Sequence, residues 1–219
     1  MKKNSSAIKK ILLVSIVIIA ATAFLIIRQI TPNKDEKKLI SYLEEHDYNS
    51  LKLNCAAVDK SSINIQFAIS KRDGFLEEAM DVKNRVENFT DCEEYRKHKV
   101  SVIFTFDGIV AVELSNRPDY ANFGSDIPQG RRYNNELINV IIYCSQCSDL
   151  SPLKDCFNIK VLEVYGLRKS EQVAVIKDMK ELTHIYVCLD DDPDRRISNK
   201  IELKKELQET HHDCVVEVK

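Results

Sequence analysis

The sequence predicts an α+β protein that one N-terminal helix holds at a membrane. Three observations support this prediction: an uncharged apolar run near the N-terminus, alternating strand patterns on both sides of one amphipathic helix, and an apolar pattern that repeats every 22 to 23 residues in the C-terminal part. Of the 219 residues, enough follow the apolar run to build one or two domains of ordinary size.

Composition excludes several classes of protein. Hydrophobic residues make up 44% of the chain and charged residues 30%, as in a globular protein. A formal net charge of −2 provides no basic field for nucleic acid. With only five glycines, the chain also lacks a glycine-rich phosphate loop. We therefore expect neither a nucleic-acid partner nor a bound cofactor.

The first predicted element is a transmembrane helix over residues 11–28. The run from Ile11 to Ile27 contains no charge, and its 17 residues reach the short end of what spans a bilayer core. A cleaved signal peptide is the alternative, because Ala21-Thr22-Ala23 offers a small-x-small cleavage site. The apolar run continues beyond that site to Ile27, which favours an uncleaved anchor in contact with the lipid bilayer.

Charges on either side of this helix predict its orientation. Residues 1–10 carry four lysines, and this short tail is costly to export. Residues 28–38 also carry four basic residues, so the preference comes from the brevity of the tail. We expect a cytoplasmic N-terminus and an extracytoplasmic C-terminal domain, in a single-pass protein of the cell membrane.

Helical spacing of apolar residues predicts an amphipathic linker helix over residues 34–47. Alternating residues then predict a hairpin with strands at Leu51–Val58 and Ile63–Ile69. From Asp73 to Phe89, apolar residues fall on one face of a helix.

Asp107-Gly108 lies between two further strand patterns, Lys99–Phe106 and Ile109–Leu114, and is the strongest short hairpin signal in the chain. The order is therefore β-β-α-β-β. We expect residues 48–116 to form an α/β sandwich domain, in which a helix crosses one face of an antiparallel four-stranded sheet.

Proline and glycine then mark residues 117–135 as a connector loop. Beyond it, residues 136–219 show the repeated apolar pattern. Leu137, Val140 and Ile142 recur as Ile159, Leu162 and Val164, and again as Leu182, Ile185 and Val187. A helix near 200–209 and a strand at 214–218 follow.

The strand pattern LxxLxL, followed by apolar residues at every third position, resembles a leucine-rich repeat. Residues 149–164 in particular look like the internalin-type repeat of bacterial surface proteins. This chain departs from the pattern after each strand, where Ser145, Leu167 and Asp190 replace the asparagine of that family. The resemblance covers residues 136–219 and implies a short α/β solenoid of parallel strands, packed against the preceding domain.

Alternation along these strands assigns their two faces. If Val140, Leu162 and Ile185 point inward, the outer face carries three tyrosines on neighbouring strands. We expect a partner-binding surface there, formed by Tyr143, Glu163, Tyr165, His184 and Tyr186. The alternative is that the preceding domain covers this face, as elements usually cover both faces of a parallel sheet.

The seven cysteines are an odd number, so at least one thiol has no disulfide partner within the monomer. Two alternatives stay open for the others: buried, reduced thiols, or one or two surface disulfides. Cys144 and Cys147 form a CxxC, but the chain has no second CxxC to complete a metal site. Asp190, Asp192 and Asp194 lack the glycine of a calcium loop, so we expect no bound metal.

These observations favour a membrane-anchored interaction module over an enzyme. Its partner would be a protein or a component of the cell envelope, bound at the outer face of the repeats. The alternative is an enzyme with a site where the two extracytoplasmic regions meet, using Asp119, Arg131 and Arg132 of the connector loop.

Overall fold

The structure is a computed structural model that describes residues 32–116, 136–156, 158–189 and 199–219. The anchor predicted at 11–28 and the connector predicted at 117–135 lie outside these residues. Across the described ranges, no helix is both long enough and apolar enough to cross a membrane.

Helix α1 spans Lys34–Glu44, close to the predicted linker helix. Its N-terminus is closed by two reciprocal hydrogen bonds. The Glu36 amide donates to Asn33 Oδ1 at 2.9 Å, and the Asn33 amide donates to Glu36 Oε2 at 2.6 Å. The main compact unit of the chain begins at Leu39, and Leu39 and Leu43 are buried in its core.

The first half of the main unit follows the predicted order β-β-α-β-β. Its elements are β1 (Leu51–Val58), β2 (Ser62–Ile69), α2 (Phe75–Thr90), β3 (Lys99–Phe106) and β4 (Ile109–Ser115). At the β3–β4 turn, Asp107 and Gly108 have φ of 49° and 79°, as a two-residue turn between twisted strands requires. Both predicted hairpins are confirmed.

The second half alternates strands with helices. Its elements are β5 (Asn139–Tyr143), a 3₁₀ helix (Ser151–Asp155), β6 (Val161–Leu167), α3 (Ser170–Asp178), β7 (His184–Leu189), α4 (Lys200–Thr210) and β8 (Val215–Val218). Each connection returns the chain to the same edge of the sheet. As a result, the strands from β5 to β8 are parallel, as predicted.

All eight described strands belong to one sheet, in which their spatial order is their order in the chain. β4 pairs with β5 in antiparallel fashion, so the sheet continues from residues 48–116 into residues 136–219. Strands β1 and β4 run opposite to the six others.

The prediction of an entirely antiparallel first half is wrong at one pair. β2 and β3 are parallel, with Ile63 beside Val100 and Phe67 beside Phe104. The reason is helix α2, which carries the chain back along the length of the sheet, so that β3 begins at the same edge as β2. The alternation of apolar residues was sufficient to locate each strand. It did not predict whether two paired strands run in the same direction.

The repeat register predicted from the sequence is confirmed by the pairing of the strands. Val140 lies beside Leu162, and Leu162 lies beside Ile185. These paired residues form a row across the strands, and β8 extends this row because Ile185 pairs with Val216. The residues of this row are at most 3% exposed, since they all point into the core.

One face of the sheet carries the main core. Its apolar side chains join those of the helices in a single cluster, which includes Phe67 and Phe104 with stacked rings 5.6 Å apart. We call the opposite side the second face. It has a small apolar cluster of its own, formed by Val161 and Tyr186 with Tyr165 and Cys188 packed against them.

Candidate partner-binding face and carboxyl-edge pocket

Three tyrosines form a row of rings on the second face, and we call Tyr143, Tyr165 and Tyr186 the tyrosine row. Tyr143 and Tyr165 are register partners on β5 and β6, and their stacked rings lie 5.1 Å apart. The rings of Tyr165 and Tyr186 are 5.6 Å apart and tilted. Alternation therefore places these side chains on one face, as the sequence predicts.

Exposure decreases along the tyrosine row. Tyr143 is 36% exposed, Tyr165 is half-buried and Tyr186 is 6% exposed. Of the other two residues predicted for the partner-binding surface, His184 is half-buried and Glu163 is buried. The accessible part of this surface is thus centred on Tyr143 and the neighbouring edge of Tyr165.

Two carboxylates lie close to the accessible rings. Glu163 Oε2 accepts a hydrogen bond from the Tyr165 hydroxyl at 3.0 Å. Glu113 and Glu163 both pair with Ile141, one on each side of β5. Burial raises the pKa of Tyr143, and the charges of Glu113 and Glu163 raise that pKa further. The Tyr143 hydroxyl therefore stays protonated, beside two carboxylates whose negative charge can attract cations.

A pocket of about 600 Å³ opens at the edge of the sheet where the parallel strands end. We call it the carboxyl-edge pocket. Its walls are the segments that follow β2 (residues 72–77), β5 (residues 144–152) and β6 (residues 168–172). In sheets with parallel strands, crevices beyond the carboxyl ends are the usual places for ligands.

Side-chain hydrogen bonds hold these walls together. Gln172 is buried and accepts hydrogen bonds from the amides of Arg168 and Lys169 at 3.2 and 3.1 Å. Its Nε2 donates to the Ser148 carbonyl at 2.9 Å, which ties the β6 wall to the β5 wall. The pocket thus has a preformed shape rather than one that a ligand must impose.

Arg72 joins the β2 wall to the β5 wall. Its guanidinium donates to Gln146 Oε1 at 3.1 Å and lies over the Phe106 ring, 4.5 Å from the ring centre. This stacking fixes the plane of the guanidinium.

The CxxC cysteines also line the pocket, and both are buried. Burial raises the pKa of the Cys144 thiol and of the Cys147 thiol to about 12. Both are free thiols, and the Cys147 thiol donates to the Asp149 carbonyl at 3.4 Å. Because thiolate chemistry needs a lowered pKa, this environment favours a structural role for the pair.

Sequence reasoning missed the charged residues of this pocket. Arg72 and Arg168 each follow a strand, and strands that run the same way end at one edge of a sheet. The predicted antiparallel pairing of β2 with β3, which the structure contradicts, obscured the common direction of β2 and β6. Gln172, the third residue of α3, was recognisable as a helix N-terminal residue whose side chain can reach back to preceding amides.

Other predicted candidates lie outside the described residues. They are Asp119, Arg131 and Arg132 of the enzyme hypothesis and the acidic residues Asp190, Asp192 and Asp194. In the part of the chain that the structure describes, no three His, Cys, Asp or Glu side chains are grouped so that they could hold a metal ion.

Comparisons of the chain with protein family models, curated proteins and solved structures found no match. The fold and the chemistry of the two surfaces are therefore the basis for a functional proposal.

Proposed function

We propose that this chain is a membrane-anchored, extracytoplasmic interaction module. In this proposal, the second face binds a protein segment that carries cationic side chains. The observation that carries the proposal is the stack of the exposed Tyr143 ring on the half-buried Tyr165 ring, beside Glu113.

The apolar run Ile11–Ile27 and the lysines before it support the anchor and the orientation. The parallel strands β5 to β8, in the register of the apolar repeat, support a short solenoid that resembles leucine-rich repeats. Solenoid proteins of this kind bind their partners on an extended surface of their own sheet.

Aromatic side chains that are partly exposed on a rigid sheet are typical anchors of protein interfaces. Stacking on Tyr165 holds the Tyr143 ring in place, so little side-chain entropy remains to be lost on binding. The ring is therefore preorganised to contact a partner.

Charge selects the kind of partner. Glu113 and Glu163 raise the negative potential at the rings, and the face of a tyrosine ring attracts cations. The chain already makes one such contact, because Lys219 Nζ lies 5.4 Å from the centre of the Tyr186 ring. A lysine or arginine of a partner can contact Tyr143 in the same way, with Glu113 as its counter-charge.

Photocrosslinking in intact cells tests this proposal. The full chain is expressed with p-benzoylphenylalanine at position 143, or at position 60 as a control, because Lys60 is exposed in the β1–β2 turn at the other edge of the sheet. We expect a discrete adduct from position 143 only, with the crosslinked peptide of the partner rich in lysine or arginine. Glu113→Gln should reduce the yield, as should roughly 0.5 M salt, which screens exposed charges.

Three outcomes would overturn the proposal: no adduct from position 143, equal adducts from positions 143 and 60, or a crosslinked segment that is acidic. In a purified pair, Tyr143→Ala should weaken binding about 30-fold, which corresponds to about 2 kcal/mol for a central aromatic anchor.

A further inference from the structure

The carboxyl-edge pocket carries charges of both signs, and they are unevenly distributed between its walls. Three cations and three carboxylates line it, so the pocket has no net charge. Lys169 and Arg168 make the β6 wall positive. Asp73 and Glu77 outnumber Arg72 on the β2 wall, which is therefore negative overall, and the third carboxylate, Asp149, lies on the β5 wall.

This distribution discriminates between ligand charges. An ion of one sign that is attracted by one wall is repelled by the other, so it gains little from entering. A ligand with a positive and a negative group at opposite ends can place each group at the wall of opposite charge. The pocket thus has the electrostatic pattern of a site for a dipolar ligand.

Shape and polarity restrict the ligand further. The volume of about 600 Å³ lies within the range of small-molecule sites. Phe75 and Leu76 of the β2 wall and Pro152 of the β5 wall add apolar surface to the lining. A dipeptide spans about 7 Å when extended and has charged ends, and small apolar side chains beside its peptide bond can contact this apolar surface.

We propose that the carboxyl-edge pocket binds short zwitterionic peptides. The peptide carboxylate lies at the β6 wall beside Lys169, and the peptide ammonium lies at the β2 wall beside Glu77 and Asp73. Gln172 holds the β6 wall in position, and the Gln146–Arg72 hydrogen bond holds the β2 wall against the β5 wall. This site is separate from the proposed partner-binding face, and neither proposal depends on the other.

Three matched probes test the proposal by calorimetric titration of the full chain in detergent. They are alanyl-alanine, N-acetyl-alanyl-alanine, which lacks the ammonium, and alanyl-alanine amide, which lacks the carboxylate. We expect alanyl-alanine to bind about tenfold more tightly than either blocked form, because each blocked form loses one of two charge contacts, and every tenfold corresponds to about 1.4 kcal/mol.

Variants then assign each end of the peptide. Lys169→Gln should weaken the binding of alanyl-alanine about threefold, a typical effect for an exposed charge. It should leave the affinity for alanyl-alanine amide unchanged, because that probe has no carboxylate. Glu77→Gln should weaken the binding of alanyl-alanine by a similar factor and leave the affinity for N-acetyl-alanyl-alanine unchanged. Lys60→Gln, far from the pocket, should alter none of the affinities.

Absence of binding by alanyl-alanine would overturn the proposal. Equal affinities for the three probes would also overturn it, because the two charged ends would then not be recognised. The same holds if Lys60→Gln weakened alanyl-alanine as much as Lys169→Gln, since a general change in net charge would then explain the effect.

Discussion

Leu162 occupies the centre of the row of core residues that the repeat register aligns, between Val140 and Ile185. Its side chain is 0% exposed. Leu162→Ala removes three carbon atoms, worth about 2.4 kcal/mol at about 0.8 kcal/mol each. The cavity that is left raises the cost to about 3–4 kcal/mol, within the range for buried leucines.

Urea unfolding of the full chain in detergent, followed by far-UV circular dichroism, measures this cost. With an m-value of about 2 kcal/mol/M, the midpoint should fall by about 1.5–2 M. Val215→Ala is the control, because Val215 lies in the same sheet on β8, two strands from β6, but is 42% exposed, and it should cost about 0.5 kcal/mol or less. A cost below about 1 kcal/mol for Leu162→Ala, or equal costs for both variants, would refute the inward register.

Three further predictions concern hydrogen bonding, pH and thiol reactivity. Asn116→Ala removes the side-chain bonds to the Val100 amide and the His98 carbonyl, both 2.8 Å, and should cost about 2–3 kcal/mol in urea unfolding. Burial lowers the pKa of His211, so the unfolded chain takes up the proton first as pH falls. The free energy of unfolding should therefore decrease below about pH 6.5, and less steeply in His211→Gln. At pH 8, iodoacetamide should modify exposed Cys55 in the native protein but reach Cys144 only after unfolding, as mass spectrometry of peptides can show.

The local pattern of apolar residues was sufficient to predict much of the fold. Alternation identified the strands, and the spacing of Val140, Leu162 and Ile185 gave the register of three of them, because all three must enter one core. Asp107-Gly108 located a hairpin, since few other dipeptides tolerate two successive positive φ angles.

Features that depend on contacts between distant segments were not predictable in this way. The parallel pairing of β2 with β3 depends on how α2 packs, and the carboxyl-edge pocket depends on that pairing. Likewise, alternation placed Glu163 and Tyr186 on the second face, but their burial depends on what packs there, which strand patterns do not encode.

The proposed function requires that the folded domain lie outside the cytoplasm, and Cys55 offers a direct test because it is the cysteine that the structure exposes. Intact bacterial cells that express the full chain are treated with a membrane-impermeant maleimide, and Cys55→Ser serves as the control. We expect labelling before lysis that is lost in Cys55→Ser. Labelling of Cys55 only after lysis would place the domain in the cytoplasm and contradict the proposed function.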